Sequence, residues 1–180
     1  MRTGILKIYA IIMTTFYLNG CINNNDDAIR YFEERYFTVE KLVDADNDFQ
    51  TNLNRLLSEN PEDIIGETEF LQLLDSVKIK YNKLLQLSKQ AVTNKIPAAE
   101  NDYSLDRAYV VLVKTYNECC ENEYAKMIDI LENQDKDSDK KFNTLFNSAS
   151  SKLNEKIDLF YKSVEAFAGE NDIEINFSEE

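Results

Sequence analysis

Apolar residues recur along this chain at intervals of three and four over four long stretches, the spacing that places side chains on one face of an α-helix. From Asp26 to about Asn60 the stripe is Ile29, Phe32, Tyr36, Val39, Val43, Phe49, Leu53 and Leu56. A second runs through Phe70, Leu74, Val77, Tyr81, Leu84 and Ala91, with Leu73, Leu85 and Leu87 widening it. A third starts near Asp102 or Ser104 and shows Leu105, Tyr109, Leu112, Tyr116, Cys119, Met127, Ile130 and Leu131. The fourth is the most regular, with Phe142, Leu145, Ala149, Leu153, Ile157, Phe160, Val164 and Phe167.

Punctuation between the stripes agrees with four helices. Asp26 and Asp27 suit a helix start, where carboxylates meet free amides and the positive end of the dipole. Asn60-Pro61-Glu62-Asp63 reads as a cap, a first-turn proline and acidic first-turn residues; Gly66 interrupts, and Thr68 can cap the second long element. Ile96-Pro97 ends that element, because proline disfavours the helical conformation in the residue before it. Residues 97–103 form a connection, and the polar stretch Asn133 to Lys141 is expected to be a loop. Gly169 reads as a left-handed helix stop. The acidic tail that follows alternates apolar and acidic residues through Ile173, Ile175 and Phe177, and is expected to pack loosely or stay disordered. The expectation is an all-α fold, an antiparallel up-down four-helix bundle over residues 28–168, with helices about 45 Å long.

Ahead of the first stripe stands a different kind of segment. Arg2 and Lys7 precede an apolar run of Ile5, Leu6, Ile8, Ala10, Ile11, Ile12, Met13, Phe16 and Leu18. The run is too short for a membrane span, which needs about 20 apolar residues. It has the charged start, apolar middle and small residue before a cut expected of a signal peptide over residues 1–20. Leu18-Asn19-Gly20-Cys21 closes it. These four residues resemble the lipobox of bacterial lipoproteins, in which the peptide is removed before the cysteine and the cysteine is lipidated. The resemblance implies lipid attachment at Cys21, recognition of Leu18, Asn19 and Gly20 by the peptidase, and a membrane as partner. An ordinary secretory signal with a chance cysteine is the alternative. Residues 21–27 would then be the lipidated cysteine and a polar tether. The acidic Asp26 and Asp27 soon after it resemble surface-export signals of Bacteroidota lipoproteins, so an outer-membrane lipoprotein, surface-exposed or periplasm-facing, is expected. The helical body likewise resembles the helical lipoproteins of that phylum that have no assigned activity.

Composition narrows the partners. The chain carries 20 basic and 33 acidic residues, a net charge of −13. Cleavage before Cys21 removes Arg2 and Lys7 and no carboxylate, which makes the body more acidic still. Such a surface disfavours nucleic acid and anionic lipid. Only 4 glycines and 2 prolines occur, far fewer than turn-rich β architectures use. Cys119 and Cys120 are neighbours inside a helical stripe, where side chains point about 100° apart; a bridge between them would need distorted backbone. Two reduced or partly buried thiols are expected, with an intermolecular bridge through Cys120 as the alternative.

The absence of histidine removes Ser-His-Asp and Cys-His nucleophiles, zinc-protease motifs and the Glu-x-x-His pairs of di-iron bundles. Glu118-x-x-Glu121 alone reads as a solvated face. Asp135-x-Asp137-x-Asp139 opens like an EF-hand loop, but Lys140 stands where glycine is needed and Phe146 where glutamate is needed. Asp44-x-Asp46-x-Asp48 has the same opening inside a helical stripe. Ser138-x-x-Lys141 has the spacing of serine acyltransfer enzymes without their partner motifs, and helix capping by Ser138 explains it better. No catalytic residue, metal site or cofactor is expected.

Ten tyrosines with no tryptophan is a skewed aromatic supply. Tyr109, Tyr116 and Tyr124 fall close to one stripe of the third helix, with Tyr81 on the second, and hydroxyl-tipped rings near carboxylates can cage a cationic ligand. The plainer reading is tyrosines edging a bundle core. Three functions follow: a non-enzymatic lipoprotein that contacts an unknown protein partner, an immunity lipoprotein that neutralises a basic toxin, and a small-ligand carrier using the tyrosines.

Overall fold

The computed structural model describes residues 9–11, 22–59, 67–94, 104–133 and 138–178. These are overwhelmingly helical. The helices are α1 (Ile22–Glu59), α2 (Glu67–Thr93), α3 (Ser104–Cys119), α4 (Ala125–Asn133) and α5 (Ser138–Glu170). A five-residue π-helical turn, Cys120–Tyr124, joins α3 to α4 without a break. One antiparallel strand pair completes the described chain, β1 (Tyr9–Ile11) with β2 (Asn176–Ser178), in the register Ala10 opposite Phe177.

The stripes read from the sequence form the core. Phe32, Tyr36, Val39, Phe49, Leu53 and Leu56 of α1 are buried against Leu74, Val77 and Leu84 of α2 and Leu105, Leu112 and Tyr116 of α3. On α5 the stripe holds along the helix, with Phe142, Ala149, Leu153, Phe160, Val164 and Phe167 buried and Leu145 and Ile157 half-buried. Burying each such side chain contributes about 1.5–3 kcal/mol, which is what holds helices of middling propensity together.

Paired residues give the relative sense of several helices: α1 with α2, α2 with α3 and α4, and α1 with α5 run oppositely, whereas α1 and α3 run the same way, Arg35 meeting Asp106 and Asp46 meeting Tyr124. Asn52 and Asp48 of α1 meet Ser76 (2.9 Å) and Lys80 (3.1 Å) of α2, so the α2 numbers rise as the α1 numbers fall. Ser88 of α2 bonds Asn117 of α3 at 3.3 Å, while Lys78 bonds Glu132 of α4. Tyr31 of α1 packs on Phe167 of α5 with ring centres 5.4 Å apart, and Tyr36 on Tyr161 at 6.4 Å.

Several expectations need correction. The first helix starts earlier than Asp26, for α1 begins at Ile22 and takes in residues 22–27, which were expected to form the polar tether. The third helix is three pieces, α3, the π-turn and α4; beyond the turn Met127 and Ile128 are buried, whereas Ile130 and Leu131 are only half-buried. The polar loop is shorter than expected, for α5 begins at Ser138. Gly169 does not stop α5. The helix runs to Glu170, and the left-handed residue is Asp172 (φ 52°), a conformation that aspartate tolerates better than most residues. The Ile173 amide then donates to the Ala168 carbonyl at 2.9 Å, the six-to-one bond of a Schellman stop. Ile173 is thereby buried, which ties down the start of the tail. Leu18, Asn19, Gly20 and Cys21, with Pro61, Gly66, Pro97 and Asp135 and Asp137, lie outside the described residues. No described helix is long and apolar enough to cross a membrane.

Candidate functional site: polar groups buried at the π-turn

The π-turn puts one more residue into a turn than an α-helix holds, and its consequences converge on one layer of the core. The Ala125 amide reaches back five residues to the Cys120 carbonyl. The Tyr81 hydroxyl of α2 donates to that same carbonyl at 3.2 Å. The turn also carries two large polar side chains inward, Glu123 and Tyr124, both buried.

Tyr124 is the centre of this layer. Its hydroxyl donates to Asp46 Oδ1 of α1 at 2.9 Å, and the Gln50 amide donates to Asp46 Oδ2 at 3.0 Å. Asp46 is 5 % exposed, and burial pushes its carboxyl up to about 6, against the opposing pull of the Tyr124 and Gln50 bonds. Burial first, then the charge on Asp46, raises the Tyr124 and Tyr116 hydroxyls well above their ordinary value. Tyr116 is fully buried, and its hydroxyl makes no hydrogen bond. Phe49 packs between these groups, 4.8 Å from the Tyr124 ring and 6.3 Å from that of Tyr81.

Glu123 faces the other way. Its Oε1 accepts from Lys152 Nζ and, at 3.2 Å, from Ser148, both on α5, while Oε2 is buried without a partner. Cys119 and Cys120 are free and fully buried, and burial pushes both thiols up to about 12. Neither is a nucleophile at neutral pH, since the thiolate is the reactive species.

A second buried charge lies one layer away. Arg35 is fully buried on α1; its Nη2 donates to Asp106 Oδ1 of α3 at 2.6 Å, Nε to the same oxygen at 3.2 Å and Nη1 to the Tyr31 carbonyl at 3.2 Å. The guanidinium sits over the Tyr31 ring, 3.4 Å from its centre, and 5.7 Å from that of Tyr109.

The four tyrosines expected to face a ligand are therefore split. Tyr81, Tyr116 and Tyr124 gather around Phe49 and Asp46, whereas Tyr109 belongs to the Arg35 layer. Tyr109, Tyr116 and Tyr124 are at most 3 % exposed and lie within the core, whereas Tyr81 is half-buried with its hydroxyl on backbone. Asp44, Asp46 and Asp48 all lie within α1, where Asp48 bonds Lys80, so they form no loop. Glu121 pairs with Lys89 at 3.4 Å. Among the described residues no three acidic or thiol groups converge as metal ligands.

Sequence reasoning missed Arg35, Asp46 and Glu123, yet one signal was present. The α1 stripe skips from Val43 to Phe49, and Asp46 is the residue three from each; the α2 stripe skips from Leu84 to Ala91, and buried Ser88 fills that gap. Each polar residue standing in a gap of an apolar stripe is a buried, hydrogen-bonded group. No family model matches this chain, and no curated protein or solved structure does.

Proposed function

We propose that this is a lipid-anchored extracytoplasmic protein, held through Cys21, whose body is an up-down four-helix bundle that binds another macromolecule and catalyses nothing. The observation that carries the reading is Leu18-Asn19-Gly20-Cys21 at the end of a short apolar run with two basic residues before it. A body of wholly different make follows directly, with α1 beginning at Ile22. Lipid chains on one sulfur anchor by burying methylenes worth about 0.8 kcal/mol each, so the folded part needs no span of its own.

The opposite running of α1 with α2, of α2 with α3 and α4, and of α1 with α5 supports the bundle topology. A non-enzymatic role is supported by what the buried titratable groups do. Asp46, Glu123 and Arg35 each bind a side chain of another helix, which makes them cross-braces. Cleavage before Cys21 would remove β1 and leave β2 attached through the buried Ile173. The outer membrane, facing the surface or the periplasm, is the proposed location, and protease treatment of intact cells separates the two sides.

Cys21→Ala tests the anchor. The variant is expected in the soluble fraction with no incorporated palmitate, while the parent sediments with membranes. A variant that stays membrane-bound and acylated would overturn the reading.

A further inference from the structure

We infer that one end of the bundle, the first turns of α1 with the tail that follows α5, rests on phospholipid headgroups, and that the long axis stands away from the membrane. The inference rests on the lipid anchor proposed above and adds which surface meets the membrane and which end points outward.

The lipid-bearing residue and the fold share a helix end. Ile22, the residue after Cys21, is already the first of α1, which runs for 38 residues to Glu59. At 1.5 Å per residue that is about 57 Å of helix, beginning one peptide from the lipidated cysteine. A long flexible tether would let the body take any attitude. A helix that begins at the next residue keeps its first turn against the headgroups into which the acyl chains pass.

Other elements close the same end. Tyr31 packs on Phe167, so the finish of α5 lies beside the early turns of α1, and Arg35 meets Asp106 near the start of α3. Beyond α5, the turn at Asp172 and the buried Ile173 hold the start of the tail against the helix end. The opposite end of the bundle gathers the finish of α1 at Glu59, the start of α2 at Glu67, the finish of α4 at Asn133 and the start of α5 at Ser138.

Charge favours standing over lying. Residues 22–25 of α1, Ile-Asn-Asn-Asn, are uncharged, and the first carboxylates, Asp26 and Asp27, come one turn later. Each helix of the body carries exposed carboxylates farther from the lipid: Asp44 on α1, Asp75 on α2, Glu118 on α3, Asp129 on α4, and Asp158 and Glu165 on α5. A bundle lying on an anionic headgroup layer would bring several of these within the ~8 Å over which charge is felt at physiological salt; a standing one keeps them beyond it. Nor is there an apolar bed along one side, since the exposed large apolar side chains are divided among α1, α2, α3 and α5.

The test uses protein purified from its native membrane and placed in vesicles of phosphatidylethanolamine and phosphatidylglycerol. A donor dye is attached at Glu170→Cys, near the proposed foot, or at Ser58→Cys, near the far end; both sites are exposed, whereas Cys119 and Cys120 are buried. Ser58 stands about 40 Å along α1 from Tyr31, the level of Phe167. Energy transfer to a headgroup-labelled lipid is expected to be several-fold stronger from position 170 than from position 58. Neutron reflectivity of the unmodified protein on a supported bilayer needs no variant. It is expected to show a protein layer near the length of α1, where a lying bundle would give about 20 Å, two helix diameters. Equal transfer from both positions, or the thin layer, would overturn the inference while leaving the anchor in place. Protein that does not associate with the vesicles would defeat the anchor and this inference together.

Discussion

The Tyr124 hydroxyl donates to the Asp46 carboxylate at 2.9 Å, joining the π-turn to the middle of α1 across 78 positions of sequence. The bond explains why a π-turn is tolerated in this core. The extra residue carries Tyr124 inward as well as Glu123, and each finds an acceptor or donor on a different helix. The freed backbone is met too, since the Cys120 carbonyl takes both the Ala125 amide and the Tyr81 hydroxyl.

Removing that hydroxyl leaves the Asp46 carboxylate the Gln50 amide at 3.0 Å. Tyr124→Phe is therefore expected to destabilise the protein by about 1–3 kcal/mol, the cost of stripping a partner from a buried polar group. Urea unfolding followed by circular dichroism measures it. Because the Tyr124 bond holds the Asp46 carboxyl down, the variant should also push Asp46 further above 6.

Asp46 itself sets a pH dependence of defined sign. Its carboxyl titrates near 6 in the folded protein against 3.8 as a free side chain. Below both values each state is protonated and the group has no effect. Between them the folded state keeps a proton that the unfolded state gives up, so stability falls as pH rises and levels off above about 6. Two units correspond to about 3 kcal/mol. Asp46→Asn should remove this fall, gaining stability over the parent at pH 7 and little at pH 4. Glu40, whose carboxyl burial also raises, contributes with the same sign and stays in both proteins. Unfolding midpoints across pH 4–7 that remain parallel in parent and variant would refute the assignment.

The paired thiols give a sharper signature. Cys119 and Cys120 are both fully buried and pushed up to about 12. A thiol reagent at pH 8 is expected to modify neither in the folded protein and both after denaturation, with the rate following global unfolding. Rapid labelling of Cys120 in the native state would instead favour its intermolecular bridging.

How much of this was legible beforehand differs by element. The α5 stripe could be read almost residue by residue, because an unbroken apolar period leaves one face to bury. The helix ends were read less well. Gly169 looked like the stop, yet the chain turns left-handed three residues later at Asp172, where the bond from Ile173 to Ala168 and the burial of Ile173 favour the later turn. The π-turn was invisible, since neither Cys119-Cys120 nor Glu123-Tyr124 departs from helical propensity and the extra residue is fixed by partners on α1, α2 and α5. Arg35 and Asp46 are polar side chains on the buried face of α1, which an apolar period does not mark. Their partners Asp106 and Tyr124 lie 71 and 78 residues away, a distance that no local pattern spans.

The lipid anchor is the claim on which location, membrane attachment and exposure of the body to a partner all depend. Intact-mass and N-terminal peptide analysis of the protein from its native membrane tests it most directly. The account predicts a mature chain that starts at Cys21 and carries acyl chains on that residue. A chain that retains residues 1–20, or one that begins at an unmodified Cys21 or elsewhere, would contradict it.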